Sequence, residues 1–116
     1  MVVELGGPPA ELGHFESGRR RYVMARPSEC RHAYLLPKGH PSGRHSEIDW
    51  SRPVDPDKFP EWTNMMAFEV ILEPGDVLYI PSYWLHYIIS LGTNFQCNAR
   101  SGHGAKWYDD VRTCGF

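Results

Sequence analysis

The stretch that decides the fold reads EPGDVLYIPSYWLHYIISL, Glu73 to Leu91. Pro74-Gly75-Asp76 carries the chemistry of a turn: proline presets φ and glycine supplies a positive φ. Upstream, AFEVILE (Ala67–Glu73) alternates Phe68, Val70 and Leu72 against Glu69, Ile71 and Glu73, the two-residue period of a strand. Downstream, DVLYIP and WLHYIISL read as two more strands. Leu91-Gly92-Thr93-Asn94 turns the chain again, and NFQCNAR reads as a fourth. Short strands joined by tight turns predict antiparallel β structure. His86 interrupts an otherwise apolar and aromatic run. Such a histidine is either a metal ligand or a core side chain with a hydrogen-bond partner.

Before this region, RRRYVMA (Arg19–Ala25) reads as a strand, entered by Ser17-Gly18 and closed by Arg26-Pro27. Alternation puts Arg20 on the face opposite Arg19 and Arg21. An inward arginine without a carboxylate partner is costly, so it calls for a ligand or an acidic neighbour. PSECRHAYLLP accommodates one short helical turn with Ser28 as N-cap. Residues 37–60 are proline-rich and irregular, longer than the roughly 12–15 residues beyond which a loop in a compact domain is functional or disordered. Ile48, Trp50, Phe59 and Trp62 predict that this insert packs down. His40 and His45 in it read as solvent-exposed. Cys97 faces away from Asn98 and reads as core. AKWYDDVRTC (Ala105–Cys114) reads as a short C-terminal helix. Gly6-Gly7-Pro8-Pro9 makes residues 1–13 an irregular segment, leaving 14–116 as the partial domain.

The chain has 116 residues, 41% of them hydrophobic, which suits one small domain with a packed core. A net charge of -2 gives no reason to expect nucleic acid or a membrane surface as partner. Cys30, Cys97 and Cys114 are far apart and form no CxxC pair, which argues against a thiolate zinc site and against a disulfide framework. The expectation is an intracellular protein, cytoplasmic or nuclear, without a secretory leader or an apolar run near the ~18 residues of a membrane span.

GDVLYIPSYWLHYI resembles the late strands of the cupin-like JmjC oxygenases, in particular those similar to asparaginyl protein hydroxylases. GRRRYVMARPSE looks like the strand that follows a glycine turn in that family. HSEIDWSRPVDPDKFPEW looks like its insert, and FQCNARSG looks like its last barrel strand. The resemblance covers about Gly18 to Gly102. It implies a mainly β fold, an incomplete double-stranded β-helix of cupin or jelly-roll type, holding Fe(II) and 2-oxoglutarate. In such a site a His-x-Asp/Glu pair and a distal histidine bind the metal. The resemblance makes His86 the distal ligand, Arg20 the anchor for the distal carboxylate of 2-oxoglutarate, and Asn98 a neighbour of that cosubstrate. Tyr83 and Trp84 are expected to line or support the pocket. His14-Phe15-Glu16 has the letters of the early pair, and residues i and i+2 share a strand face. That pair begins only four residues before Gly18, where the family has a loop and a whole strand between.

Two functional readings follow. One is an oxygenase that hydroxylates a protein side chain, with a protein or peptide substrate. The other is a truncated, inactive cupin-like remnant serving as a binding or scaffold module. A barrel short of its early strands exposes unpaired edges, so a homodimer or a partner covering them is also expected.

Overall fold

The computed structural model describes residues 1–7, 18–102 and 106–116. His14 and Glu16 lie outside the described residues. Among the described residues there are six strands: β1 (Val2–Gly6), β2 (Arg20–Ala25), β3 (Phe68–Leu72), β4 (Val77–Tyr79), β5 (Leu85–Ser90) and β6 (Phe95–Ala99), followed by one helix, α1 (Tyr108–Arg112). They form two three-stranded sheets, ordered β4-β1-β6 and β3-β2-β5. The fold is mainly β, and the late strands fall where alternation and turn chemistry put them.

The amino terminus corrects the reading of residues 1–13 as irregular. β1 is the central strand of its sheet, antiparallel to both neighbours, with Val3 opposite Leu78 and Asn98 and Leu5 opposite Gln96. The Gly-Pro breakers begin only at Gly6, and the preceding residues alternate. Val3 and Leu5 are buried, while Val2 and Glu4 are exposed. Gly6 has a reason to be glycine: a Cβ there would collide with the Phe95 ring. The other face of this sheet carries Val2, Val77, Tyr79 and Phe95, all exposed. Cys97 lies opposite Glu4 on that face and is exposed, not core. It does face away from Asn98, as period-2 alternation requires.

In the second sheet, Arg20, Tyr22 and Met24 of β2 stand opposite Leu72, Val70 and Phe68 of β3. Tyr22 is fully buried and Leu72 nearly so. The turn between β3 and β4 closes with the Asp76 N–H donating to Glu73 O at 3.0 Å, and Gly75 takes φ 95°. That is the positive φ a type II turn needs at its third position.

The chain divides into two compact units. One comprises Met1–Met24, Phe68–Ser82 and His86–Gly104, and so holds most of both sheets. The other comprises Ala25–Ala67, Tyr83–Leu85 and Ala105–Phe116. In this second unit the expected helical turn is a 3₁₀ turn over Pro27–His32, started by the proline and without a side-chain cap from Ser28. Residues 37–59 are irregular, as expected. Phe59 is buried edge-on to Tyr34, with ring centroids 4.9 Å apart, and Trp50 lies 6.3 Å from Trp62. A disulfide joins Cys30 to Cys114 across 84 residues of sequence. This corrects the inference drawn from cysteine spacing, because the fold brings the two Cα atoms to 6.3 Å, inside the range a disulfide spans.

Two outcomes are expected. Thiol titration of the native chain should find one reactive cysteine, Cys97. Reductant should free the other two and lower stability by up to about 4–5 kcal/mol on the chain-entropy account of a loop this long. The second concerns Glu29. Its carboxylate accepts from His32 Nδ1 at 2.8 Å and from the Met66 N–H at 3.1 Å. Burial pushes its pKa up, but these hydrogen bonds and the charges of His32 and Arg31 outweigh burial and hold it below the ordinary 4.5. A depressed carboxylate pKa contributes stability above the unfolded value, lost as pH falls through the folded one. Acid denaturation of Glu29→Gln should therefore show a flatter limb below about pH 4.5.

Candidate functional site

The site grows from the alternation of β2. Arg19 and Arg21 lie on one face and meet carboxylates: Arg19 Nε is 4.0 Å from Glu73, and Arg21 Nη2 is 2.7 Å from Glu69. Arg20 points the other way and, among the described residues, meets neutral oxygens. Its Nη1 donates to Gln96 Oε1 and its Nη2 to Ser90 Oγ at 3.1 Å. Its Nε is buried with no hydrogen-bond partner among the described residues. The Tyr22 hydroxyl donates to the same Gln96 oxygen, and Gln96 Nε2 donates to Asn98 Oδ1 at 2.7 Å. Ser90 and Asn94 continue the network, with Asn94 Nδ2 donating to the Arg19 carbonyl at 3.0 Å. Gln96 thus links β6 of one sheet to β2 of the other.

The electrostatics of this cluster are one-sided. A guanidinium carries a full charge, and no carboxylate among the described residues pairs with that of Arg20. Burial raises the pKa of the Tyr22 phenol, an effect the hydrogen bond and charge of Arg20 oppose without reversing. The donors and the net positive charge suit a carboxylate ligand, which an arginine can grip through two N–H groups.

Arg20 and Asn98, both picked out from the sequence, therefore belong to one network through Gln96. Sequence reasoning passed over Tyr22, Ser90 and Gln96. The available signal was the same alternation: Tyr22 stands two residues from Arg20, and Gln96 two from Asn98. His86 is exposed on β5. It shares a strand face with Ile88 and with Ser90, the residue that accepts from Arg20, about 13 Å further along the strand. Among the described residues no group of three His, Cys, Asp or Glu side chains is arranged to hold a metal ion. Tyr83 and Trp84 pair with the aromatic residues at the carboxyl end. Tyr83 lies 5.9 Å from Tyr108, and Trp84 meets Trp107 edge-on at 5.9 Å. Tyr83 adopts φ 66°, a conformation few non-glycine residues take. His40 and His45 are exposed, as expected of loop histidines.

The two sheets, with the inward arginine between them, define a mainly β, jelly-roll-like protein. Residues 15–112 match the family described as the cupin-like domain, and the chain belongs to that family. It is similar to tRNA wybutosine-synthesizing protein 5 of Mus musculus, 34% identical over 100 residues, 85% of this chain and 30% of that protein. It is also similar to Jumonji C domain-containing protein 5 of Drosophila melanogaster, 30% identical over 81 residues, 67% of this chain and 19% of that protein. HSPB1-associated protein 1 of Homo sapiens is 32% identical over 76 residues, 64% of this chain and 15% of that protein. The resemblance to JmjC-type cupins is thus borne out. The chain spans under a third of the length of the curated relatives it matches.

Gln96→Leu should expose the importance of the shared acceptor. It leaves the Tyr22 hydroxyl and one Arg20 N–H unpaired, at a cost of about 1–3 kcal/mol of stability by denaturant titration. In the wild type, the raised Tyr22 pKa makes stability full below the unfolded value of 10 and lost as pH rises through the folded one. Tyr22→Phe should flatten that alkaline limb.

Proposed function

We propose that this chain acts as an Fe(II)- and 2-oxoglutarate-dependent oxygenase of the JmjC, cupin-like type. The observation that carries the reading is Arg20: a guanidinium turned inward, held by neutral oxygens and without a carboxylate partner among the described residues. The distal carboxylate of 2-oxoglutarate supplies the missing charge. Gln96, itself held by Tyr22 and Asn98, positions the guanidinium from one side and Ser90 from the other. His86 holds the metal through a neutral imidazole nitrogen, as the residue on the same strand face as Ser90. His14 and Glu16 complete the ligand set in this reading. When bound, the metal and cosubstrate supply the oxidising chemistry for a C–H bond, and the protein contributes binding, orientation and exclusion of water.

A protein side chain is the substrate that the family resemblance implies, and the name of HSPB1-associated protein 1 supports a protein partner. The name of tRNA wybutosine-synthesizing protein 5 supports an RNA substrate instead. Either substrate would couple its hydroxylation to decarboxylation of 2-oxoglutarate.

Calorimetry tests the binding part directly, with Mn(II) in place of Fe(II) to avoid oxidation. The folded chain should bind the metal and then 2-oxoglutarate. Arg20→Ala should weaken 2-oxoglutarate by about tenfold or more while leaving metal affinity unchanged. His86→Ala should abolish metal binding. Metal affinity unchanged in Glu16→Ala would remove the early pair from the ligand set. A folded chain that binds no divalent metal would be a non-catalytic cupin-like module.

A further inference from the structure

The insert contains a second concentration of cationic groups, which the oxygenase reading does not use. Leu35 and Ser46 form a bridge, and the Leu36 N–H donates to His45 O at 2.8 Å while the Arg44 N–H donates to Leu36 O at 3.1 Å. Residues 37–43 are therefore the tip of a closed, hairpin-like loop. Within it the turn carbonyls are already engaged: Pro37 O accepts from the His40 N–H, and His40 O from the Gly43 N–H. What the tip presents outward is positive. A cavity of about 270 Å³ is lined by Lys38, His40 and Arg44, with Pro41, Phe116 and the glycines between them in its wall.

Three features suit this solvent-open cavity to an anion. No acidic side chain lines it, and neither Lys38 nor Arg44 has a carboxylate within ion-pair distance among the described residues. His40 Nδ1 accepts the Ser42 N–H at 3.0 Å, so the neutral ring carries its proton on Nε2 and offers a third donor. Arg44 holds φ 73°, a left-handed conformation that costs an arginine energy and is found where surrounding structure has a use for it. The net charge of the chain, -2, conceals this: the hairpin-like loop from Pro37 to Ser46 holds two permanent cations and two histidines and no acid.

We propose that the tip formed by Lys38, His40 and Arg44 is a phosphate-binding site. Two cations and an imidazole N–H around one cavity match the charge and the several acceptor oxygens of a phosphate group, the guanidinium pairing two of them. The phosphate can belong to a free phosphate or to the phosphodiester backbone of an RNA strand. The inference concerns binding alone and stands apart from the iron and 2-oxoglutarate reading.

The test is an NMR titration of the isotopically labelled 116-residue chain. Inorganic phosphate is added in one series and a mixed-sequence single-stranded RNA oligonucleotide in another. Saturable shifts of the Gly39, Gly43 and Arg44 amides are expected. Lys38→Ala and Arg44→Gly should each weaken binding by about tenfold. Glycine suits the left-handed φ at position 44, so Arg44→Gly should melt no lower than the wild type and separate lost binding from lost fold. Lys58→Ala, outside the cavity, should bind as the wild type does. Shifts produced by RNA, weakened by salt and absent with inorganic phosphate, assign the site to a phosphodiester backbone. Equal shifts with inorganic phosphate assign it to a free phosphate. Failure of both series to perturb the tip, or binding indifferent to both substitutions, overturns the proposal.

Discussion

A half-buried positive charge has to be answered, and here, among the described residues, the answer is built from neutral oxygens. Arg20 is turned into the interior of the strand-rich unit by the pleat of β2, and Gln96 and Ser90 accept its N–H groups. Amide and hydroxyl oxygens solvate a guanidinium but do not neutralise it. Much else in this unit is arranged around that fact. Tyr22 is buried beside the arginine and shares its acceptor, Gln96 is held by Asn98, and Ser90 sits on the strand face that also carries His86. The unit therefore has a polar cluster around a guanidinium that no carboxylate among the described residues pairs.

The apolar framework makes that arrangement possible. β1 contributes Val3 and Leu5 to the interior and lies between β4 and β6, so Gln96 and Asn98 project from a strand with a firm neighbour. Phe95 covers Gly6 on the opposite face. Ladders of this kind hold side chains in register because a slip of one residue would exchange the two faces. Arg20 and Gln96 meet only if β2 and β6 both keep theirs. The second unit is held differently, by a disulfide, a buried Phe59 and the Glu29–His32 hydrogen bond. Its surface loop is correspondingly free to carry charge without disturbing a core.

Much of this was legible in the residues before any coordinates. Period-2 alternation with proline-glycine turns located β2 to β6, and the same alternation put Arg20 opposite its two neighbours. The stretch around His86 pointed to the cupin-like family, and the match over residues 15–112 agrees. Three readings needed correction, each for a physical reason. β1 was hidden because five residues beside a Gly-Pro run give too little local signal, and strand pairing supplied the rest. The Cys30–Cys114 disulfide closes over 84 residues, a proximity that spacing cannot encode. Cys97 followed the alternation correctly, but which face of a sheet is covered is settled by what packs on it.

By itself the sequence determined the period of each strand, the turns between them, the family, and the face on which Arg20 lies, because these depend on neighbours within a few residues. Only the tertiary structure decided which oxygens meet that arginine, which cysteines meet each other, and that Lys38, His40 and Arg44 surround one cavity. Those are contacts between residues remote in sequence or folded back by a loop. Their distances come from the packing of the whole chain and from no local pattern.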